Sequence, residues 1–284
     1  MSTITTSSTS AGLGDDARIA FIGGGNMATA IIQGLLRQGR RQPSSILVVD
    51  PGEAQRDRLD AQGLRTSASP DTALQDAAVV VWAVKPQQFK EAAAACAPFT
   101  AGALHYSVMA GLRTDDIARL LGTPRVVRAM PNTPALVGQG VTGLFARPDV
   151  SPSERDVIDG LVAPTGQALW VDQEHDLDAV TALSGSGPAY VFYFIEAMTQ
   201  AAQDMGLSAE QGRALALATF GGATTLATQS DDSPATLRDK VTSKGGTTYA
   251  ALSAMEAAGV KASFIAAMRA AQQRAGELGD EFGQ

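Results

Sequence analysis

Over the first two-thirds of the chain, short apolar runs alternate with stretches whose apolar residues recur every three or four positions, the pattern of strands alternating with helices. Arg18–Ile22 predicts a strand that meets three glycines and continues as an apolar-periodic helix, closed by Arg37, Gln38 and Gly39. Residues 46–49 predict a second strand, 53–61 a helix stopped by Gly63, and 77–84 a near-continuous apolar strand of the kind buried on both faces of a parallel sheet. A helix over 87–96, a strand over 104–109, a helix over 114–121 with Asp115 and Asp116 in its first turn, and a strand over 125–130 follow. Ser151, Pro152 and Glu154 signal a capped helix start, and 168–171 a further strand. Short connections between alternating elements imply a doubly wound, mostly parallel sheet.

Near Leu183 the period changes. Val191, Phe194, Ile195, Met198, Ala202 and Met205 share one helical face, Ser208 with Gln211 forms a capping pair, and Val260, Phe264, Met268, Ala271, Ala275 and Leu278 make a second stripe. This part is expected to be all helix, its stripes serving as core or subunit interface. The expected organisation is a disordered Ser/Thr-rich lead over 1–17, an α/β domain over 18–172 and an all-α domain over 173–284.

The chemistry starts at the glycine turn. Gly23 and Gly25 let the backbone turn sharply and approach a bulky anion, Ala28 lets helix and strand pack closely, and the helix start offers free N–H groups to a pyrophosphate. A chain with 29 glycines matches such a pattern easily by chance. Context favours a dinucleotide site: strand, turn and helix come in order, and Asp50, which follows the second strand, stands where a carboxylate usually meets the adenosine ribose.

A net charge of −7 without a basic cluster predicts neither nucleic acid nor an anionic membrane as partner, and the apolar run at 77–84 is far too short to span a bilayer. The lead has neither the basic start nor the apolar core of a secretory signal. Cys96 is the single cysteine and sits among alanines, which fits a small buried residue and a reducing cytoplasm. Two separated histidines, His105 and His175, leave little material for a metal site or a triad. Chemistry is expected to rest on a cofactor, hydroxyls, carboxylates or lysines. Two loops, residues 184–190 and 243–248, each set hydroxyls beside glycine-exposed amides at a helix start, an arrangement suited either to capping or to holding a carboxylate.

From Arg18 to about Leu278 the chain resembles the pyrroline-5-carboxylate reductase family. The resemblance rests on Ile22-Gly-Gly-Gly-Asn-Met27, Ala83-Val-Lys-Pro86, Ala110-Gly111, Met130-Pro-Asn-Thr-Pro134, Leu183-Ser-Gly-Ser-Gly-Pro-Ala-Tyr190 and Leu237-Arg-Asp-Lys-Val-Thr-Ser-Lys-Gly-Gly-Thr-Thr248, in the family's order and spacing. The last two motifs are the specific ones. The resemblance implies a Rossmann-like sheet domain followed by an all-α dimerisation domain, a homodimer often built into a larger ring, and reduction of a cyclic imino acid to L-proline with NADPH or NADH.

Residue by residue, the resemblance assigns Ile22, Gly23, Gly24, Gly25, Asn26, Met27, Ala83, Val84, Lys85, Pro86, Met109 and Ala110 to the dinucleotide, beside Asp50 at the ribose. It assigns Ser243, Gly245, Gly246, Thr247 and Thr248 to the substrate, Thr248 as the catalytic hydroxyl facing the ring nitrogen, and Glu174 to an acid near that pocket. Lys244 departs from the pattern, since the family usually has proline there; lysine frees the backbone and adds a cation beside an anionic substrate. Two other readings are weaker. A β-hydroxyacid dehydrogenase wants a catalytic lysine on a long helix, for which only Lys240, Lys244 and Lys261 are late candidates, and a nicotinamide sensor without turnover has no use for loops suited to a small acid.

Overall fold

The computed structural model describes residues 17–39 and 41–283. In chain order it runs β1 (Arg18–Ile22), α1 (Asn26–Arg37), β2 (Ile46–Val49), α2 (Glu53–Asp60), β3 (Arg65–Ser67), β4 (Ala77–Trp82), α3 (Phe89–Thr100), β5 (Leu104–Ser107), α4 (Thr114–Leu121), β6 (Val126–Met130), β7 (Gly140–Ala146), α5 (Pro152–Val162) and β8 (Gly166–Trp170). The strands form one sheet in the order β3-β2-β1-β4-β5-β6-β7-β8, with every neighbour parallel except the antiparallel β6–β7 pair.

Side-chain alternation divides each central strand between two cores. Ile19, Phe21, Val79 and Val81 enter the cluster that α1 and α5 cover, with Ile32, Leu35 and Ile158. Ala20, Ile22, Val80 and Trp82 enter the cluster under α3 and α4, with Phe89, Cys96 and Ile117. Burial on both faces is why these strands read as unbroken apolar runs.

Several boundaries differ from expectation for local reasons. β4 ends at Trp82 and β5 at Ser107, because Ala83, Val84, Val108 and Met109 leave the ladder for the sheet's C-terminal edge. The helix expected over 87–96 opens as a short 3-10 turn at Pro86–Gln88 and runs on as α3 across Pro98. Two strands carried no signal. β3 is a three-residue polar edge strand, and β7 holds Gly143, where a Cβ would stand 2.6 Å from Val180 Cγ1.

Helices α6 (Asp176–Val180), α7 (Gly187–Asp204), α8 (Ala209–Gln229), α9 (Pro234–Lys240), α10 (Thr247–Ala257) and α11 (Val260–Phe282) complete the chain, with a π-helical turn at Thr181–Gly185 between α6 and α7. The chain divides into two compact units: one holds everything up to Ser186 together with Ala271 onward, the other Gly187–Ala270. The division expected at 172/173 therefore falls at Ser186/Gly187, since α6 packs on β6 and β7, and the end of α11 belongs with the sheet. The lead expected over 1–17 lies outside the described residues except for Ala17.

Within the helical unit, α7 and α8 pack along Ala202, Gly212 and Ala216, where a Cβ on Gly212 would meet Ala202 Cβ at 2.7 Å. Phe264 of α11 sits edge-on to Tyr190 and Phe194 at centroid distances of 5.7 and 5.6 Å. Ser208 and Gln211 form the predicted capping box. Of the predicted α7 stripe only Ala202 is buried in the single chain; Phe194 and Ile195 are half-buried, and Val191, Met198 and Met205 are exposed, Met205 just before the turn at Gly206, φ +94°.

Candidate functional site: a dinucleotide cradle and a glycine-threonine loop

The C-terminal ends of β1, β2, β4 and β5 converge where the strand order reverses between β1 and β4, the place at which open α/β sheets bind ligands. Gly23 adopts φ +94°, and a Cβ there would lie 2.7 Å from the Ala83 carbonyl oxygen, so only glycine brings the turn this close to β4. Its amide donates to Val49 O at 2.8 Å, and the Ala83 amide donates to Ile22 O at 2.8 Å. Gly25 is the N-cap of α1, supplies no side-chain cap and has open space where a Cβ would go. The first amides of α1, from Asn26 and Met27, are thus left for an anion, while Ala28 is fully buried against the sheet.

Asp50 stands at the end of β2 with both carboxylate oxygens engaged: Oδ2 accepts the Gly24 amide at 2.7 Å and Oδ1 the Gly52 amide at 2.8 Å. Arg56 Nη1 donates to the Asp50 carbonyl at 2.8 Å, and Gln55 bonds the Gly24 carbonyl. Beside this acid lies a largely apolar cavity of about 260 Å³ between Val49, Pro51, Ala68, Pro70, Val84 and Gln88, floored by Ile22 and Cys96. Burial pushes the Cys96 thiol up to about 12, so it is a neutral wall residue. Sequence reasoning missed Ala68, Ser69 and Pro70 because they follow the unrecognised strand β3; the Ser/Pro-rich stretch itself was the available signal. Lys85 is exposed at the start of the 3-10 turn, Pro86 is its first residue, Met109 is buried and Ala110 is exposed. The predicted dinucleotide residues therefore share one unit and one sheet edge.

The glycine-threonine loop lies in the helical unit. Gly245 has φ +75°, the Gly246 amide donates to Ser243 O at 3.0 Å, and Gly246 is the N-cap of α10. Thr247 and Thr248 occupy the first two helical positions, so their amides have no partner within the helix. Thr248 is half-buried, and its hydroxyl makes no hydrogen bond among the described residues.

Glu174 sits in the sheet unit, and its carboxylate is fully engaged. Oε1 accepts the Thr114 amide at 2.8 Å and Arg128 Nη1 at 3.1 Å, and Oε2 accepts the Thr114 hydroxyl at 2.7 Å. Arg128 is buried on β6, with Asp178 4.0 Å from its other terminal nitrogen; burial pushes the Asp178 carboxyl up against the pull of Arg128. The loop at 184–190 proves to be a braced turn. Ser184 Oγ donates to Val180 O at 3.0 Å, and Pro188 lacks the N–H that a helix would direct at the Ser184 carbonyl. Asn132 supplies it: Nδ2 donates to Ser184 O at 3.2 Å while Oδ1 accepts the Val141 amide at 3.0 Å. Sequence reasoning assigned Asn132 no role.

Among the described residues no single helix is long and apolar enough to cross a membrane.

The sheet order, the glycine turn and the acid at the end of β2 define a Rossmann-type dinucleotide-dependent oxidoreductase. Residues 18–111 match the model of the NADP oxidoreductase, coenzyme F420-dependent family, and residues 174–278 match that of pyrroline-5-carboxylate reductase dimerisation. The pyrroline-5-carboxylate reductase of Pseudomonas aeruginosa is 44% identical over 270 residues, covering 94% of this chain and 98% of its own. Among solved structures, the reductase of Coxiella burnetii superposes with a TM-score of 0.87 at 37% identity, covering 93% of this chain and 98% of that one. The Plasmodium falciparum enzyme, solved with NADP bound, gives 0.84 at 26% identity over 93% and 99%. The chain belongs to the pyrroline-5-carboxylate reductase family.

Proposed function

We infer that this protein reduces 1-pyrroline-5-carboxylate to L-proline, the last step of proline synthesis, using NADPH or NADH. The observation that carries this reading is 44% identity to a pyrroline-5-carboxylate reductase over 94% of the chain, supported by a glycine turn whose Gly24 amide is held by the acid at the end of β2. Bound reduced nicotinamide supplies the hydride to the imine carbon. The chain's own residues bind, orient and exclude water. Ile22, Gly23, Gly24, Gly25, Asn26 and Met27 receive the pyrophosphate at the start of α1, Asp50 meets the adenosine ribose, and Ala83, Val84, Lys85, Pro86, Met109 and Ala110 line the path toward the nicotinamide.

Ser243, Gly245, Gly246 and Thr247 clamp the ring carboxylate through hydroxyls and helix-start amides, and Thr248 holds the ring nitrogen. Glu174, proposed from the family pattern as an acid near the substrate, acts in this reading by holding Thr114 and Arg128, because its oxygens already carry those donors. The lysine chemistry of a β-hydroxyacid dehydrogenase finds little support, since Lys240 is paired with Asp232.

The working form is a homodimer through the helical unit, in a reducing cytoplasm, with assembly into a ring of dimers as the family pattern suggests. Supporting this, Phe192, Tyr193, Leu215, Leu226, Tyr249 and Met255 are all more than half exposed in the single chain, more apolar surface than an 84-residue unit leaves to water. A monodisperse active species near 29 kDa in solution would overturn the dimer. Purified protein mixed with pyrroline-5-carboxylate and NADH or NADPH should oxidise the reduced cofactor with stoichiometric proline formation. Cofactor binding without turnover would point to a sensor instead.

A further inference from the structure

The last turns of α11 make a contact that the dinucleotide reading leaves unexplained. They belong to the sheet unit, where Phe282 packs on the cluster that includes Met109, Leu112 and Ile117. Its ring covers Gly111, the residue after Ala110. Gly111 has φ +77°, and a Cβ there would stand 2.8 Å from Phe282 Cδ2 and 3.3 Å from Leu278 Cβ. Nearby, Arg113 Nη2 bonds Asp280 Oδ1 at 2.6 Å, and its guanidinium lies against Gly279, where a Cβ would stand 2.9 Å from Nε. Both partners of that ion pair are substantially exposed, so it adds little on its own. The aromatic ring on a bare glycine is the contact that water cannot replace.

The loop needs such a contact. The ladder gives out at Val108, whose amide donates to Trp82 O at 3.0 Å, and Met109 N reaches only Ser107 Oγ at 3.4 Å. Among the described residues, Ala110 and Gly111 make no hydrogen bond before Thr114 is caught by Glu174. The backbone that follows β5 is therefore held by packing from the chain's own C-terminal turn.

We propose that Phe282 is a positioning residue for the dinucleotide, acting through Gly111 to hold the Met109–Ala110 backbone in place. This rests on the assignment of Met109 and Ala110 to the dinucleotide. Full-length protein, Phe282→Ala, Phe282→Leu and a chain ending at Glu281 should be titrated with NADH, following dihydronicotinamide fluorescence, alongside steady-state kinetics and thermal melts. Phe282→Ala and the shortened chain should weaken NADH binding on the order of fivefold, within the range for residues that act through a neighbour. The KM for NADH should rise with it while kcat at saturating NADH holds, and Phe282→Leu should recover most of the loss. Should Phe282→Ala fail to fold, the shortened chain and Phe282→Leu still bracket the effect. Equal NADH affinity in all four proteins overturns the positioning role and leaves the reductase assignment intact, whereas wild-type protein that neither binds nor oxidises NADH or NADPH in the presence of pyrroline-5-carboxylate overturns both.

Discussion

Asp50 and Gly24 are joined by a 2.7 Å hydrogen bond from the glycine amide to Oδ2, while Oδ1 holds the Gly52 amide. The carboxylate is thereby tied into the turn it faces, unable to swing aside for a 2′-phosphate, and like charges disfavour that pairing. Arg56, tethered to the Asp50 carbonyl, is the nearby cation that tempers the repulsion. Both cofactors should therefore support turnover. Asp50→Ser should raise the NADPH-to-NADH ratio of kcat/KM on the order of tenfold and reduce stability by about 1–2 kcal/mol, since a serine hydroxyl can serve only one of the two amides. An unchanged ratio would remove Asp50 from the ribose.

Trp82 and His105 predict how the sheet unit answers acid. Trp82 Nε1 donates to His105 Nδ1 at 3.0 Å, and burial lowers the imidazole pKa from 6.5 to about 4 although the Thr100 backbone pulls the other way. The folded state keeps the ring neutral while the unfolded chain protonates it. Stability is thus unaffected by this group above pH 6.5, falls as pH drops from 6.5 toward 4, and has lost about 3 kcal/mol by then. Denaturant melts across that window should show the loss. His105→Gln, which keeps an acceptor for Trp82, should flatten it.

The dinucleotide half was legible because its signals are local. A buried strand, a forced glycine turn and an acid at a set spacing all lie in about thirty residues, and the double-faced burial of Val79, Val80 and Val81 writes the parallel sheet into composition. What the chain hid are relations between distant positions. Nothing near Glu174 announces that Thr114 and Arg128 will engage its carboxylate, and the missing N–H of Pro188 explains Asn132 only once the π-helical turn is in view. β7 was invisible because Gly143 breaks its apolar alternation, yet that glycine is there to admit Val180. The length of β4 was overstated for the opposite reason: Ala83 and Val84 continue the apolar run past the end of the strand, where the Ala83 amide bonds Ile22 O and Val84 lines the cavity beside Asp50.

Lys244 carries an exposed charge with no ion-pair partner among the described residues, in the loop proposed to clamp an anion. If its ammonium attracts the substrate through solvent, Lys244→Met should raise the KM for pyrroline-5-carboxylate about twofold to threefold at low ionic strength and leave kcat unchanged. In about 1 M salt, where the screening length shrinks to about 3 Å, the two proteins should converge. A difference that persists in high salt would assign Lys244 to the loop's conformation, and Lys244→Pro, which restores the family's residue, would then be the informative variant.

Thr248 is the sharpest case, because a threonine at a helix start has two uses. As an N-cap it would contribute about 1 kcal/mol of stability and little to turnover. The cap of α10 is Gly246, however, and Thr248 lies two positions further in, half-buried, with its hydroxyl unpaired among the described residues. A polar hydroxyl held ready beside free helix-start amides suits a ligand to the imine nitrogen. Thr248→Ala should fold, dimerise and bind dinucleotide as wild type does, and lose at least about tenfold in kcat/KM for pyrroline-5-carboxylate, the scale of one lost polar contact in the transition state. Thr248→Ser should recover much of the loss, because it restores the hydroxyl without the methyl group. Steady-state kinetics in which the alanine variant equals wild type, or a melting temperature that falls while kinetics hold, would return Thr248 to a structural part in α10.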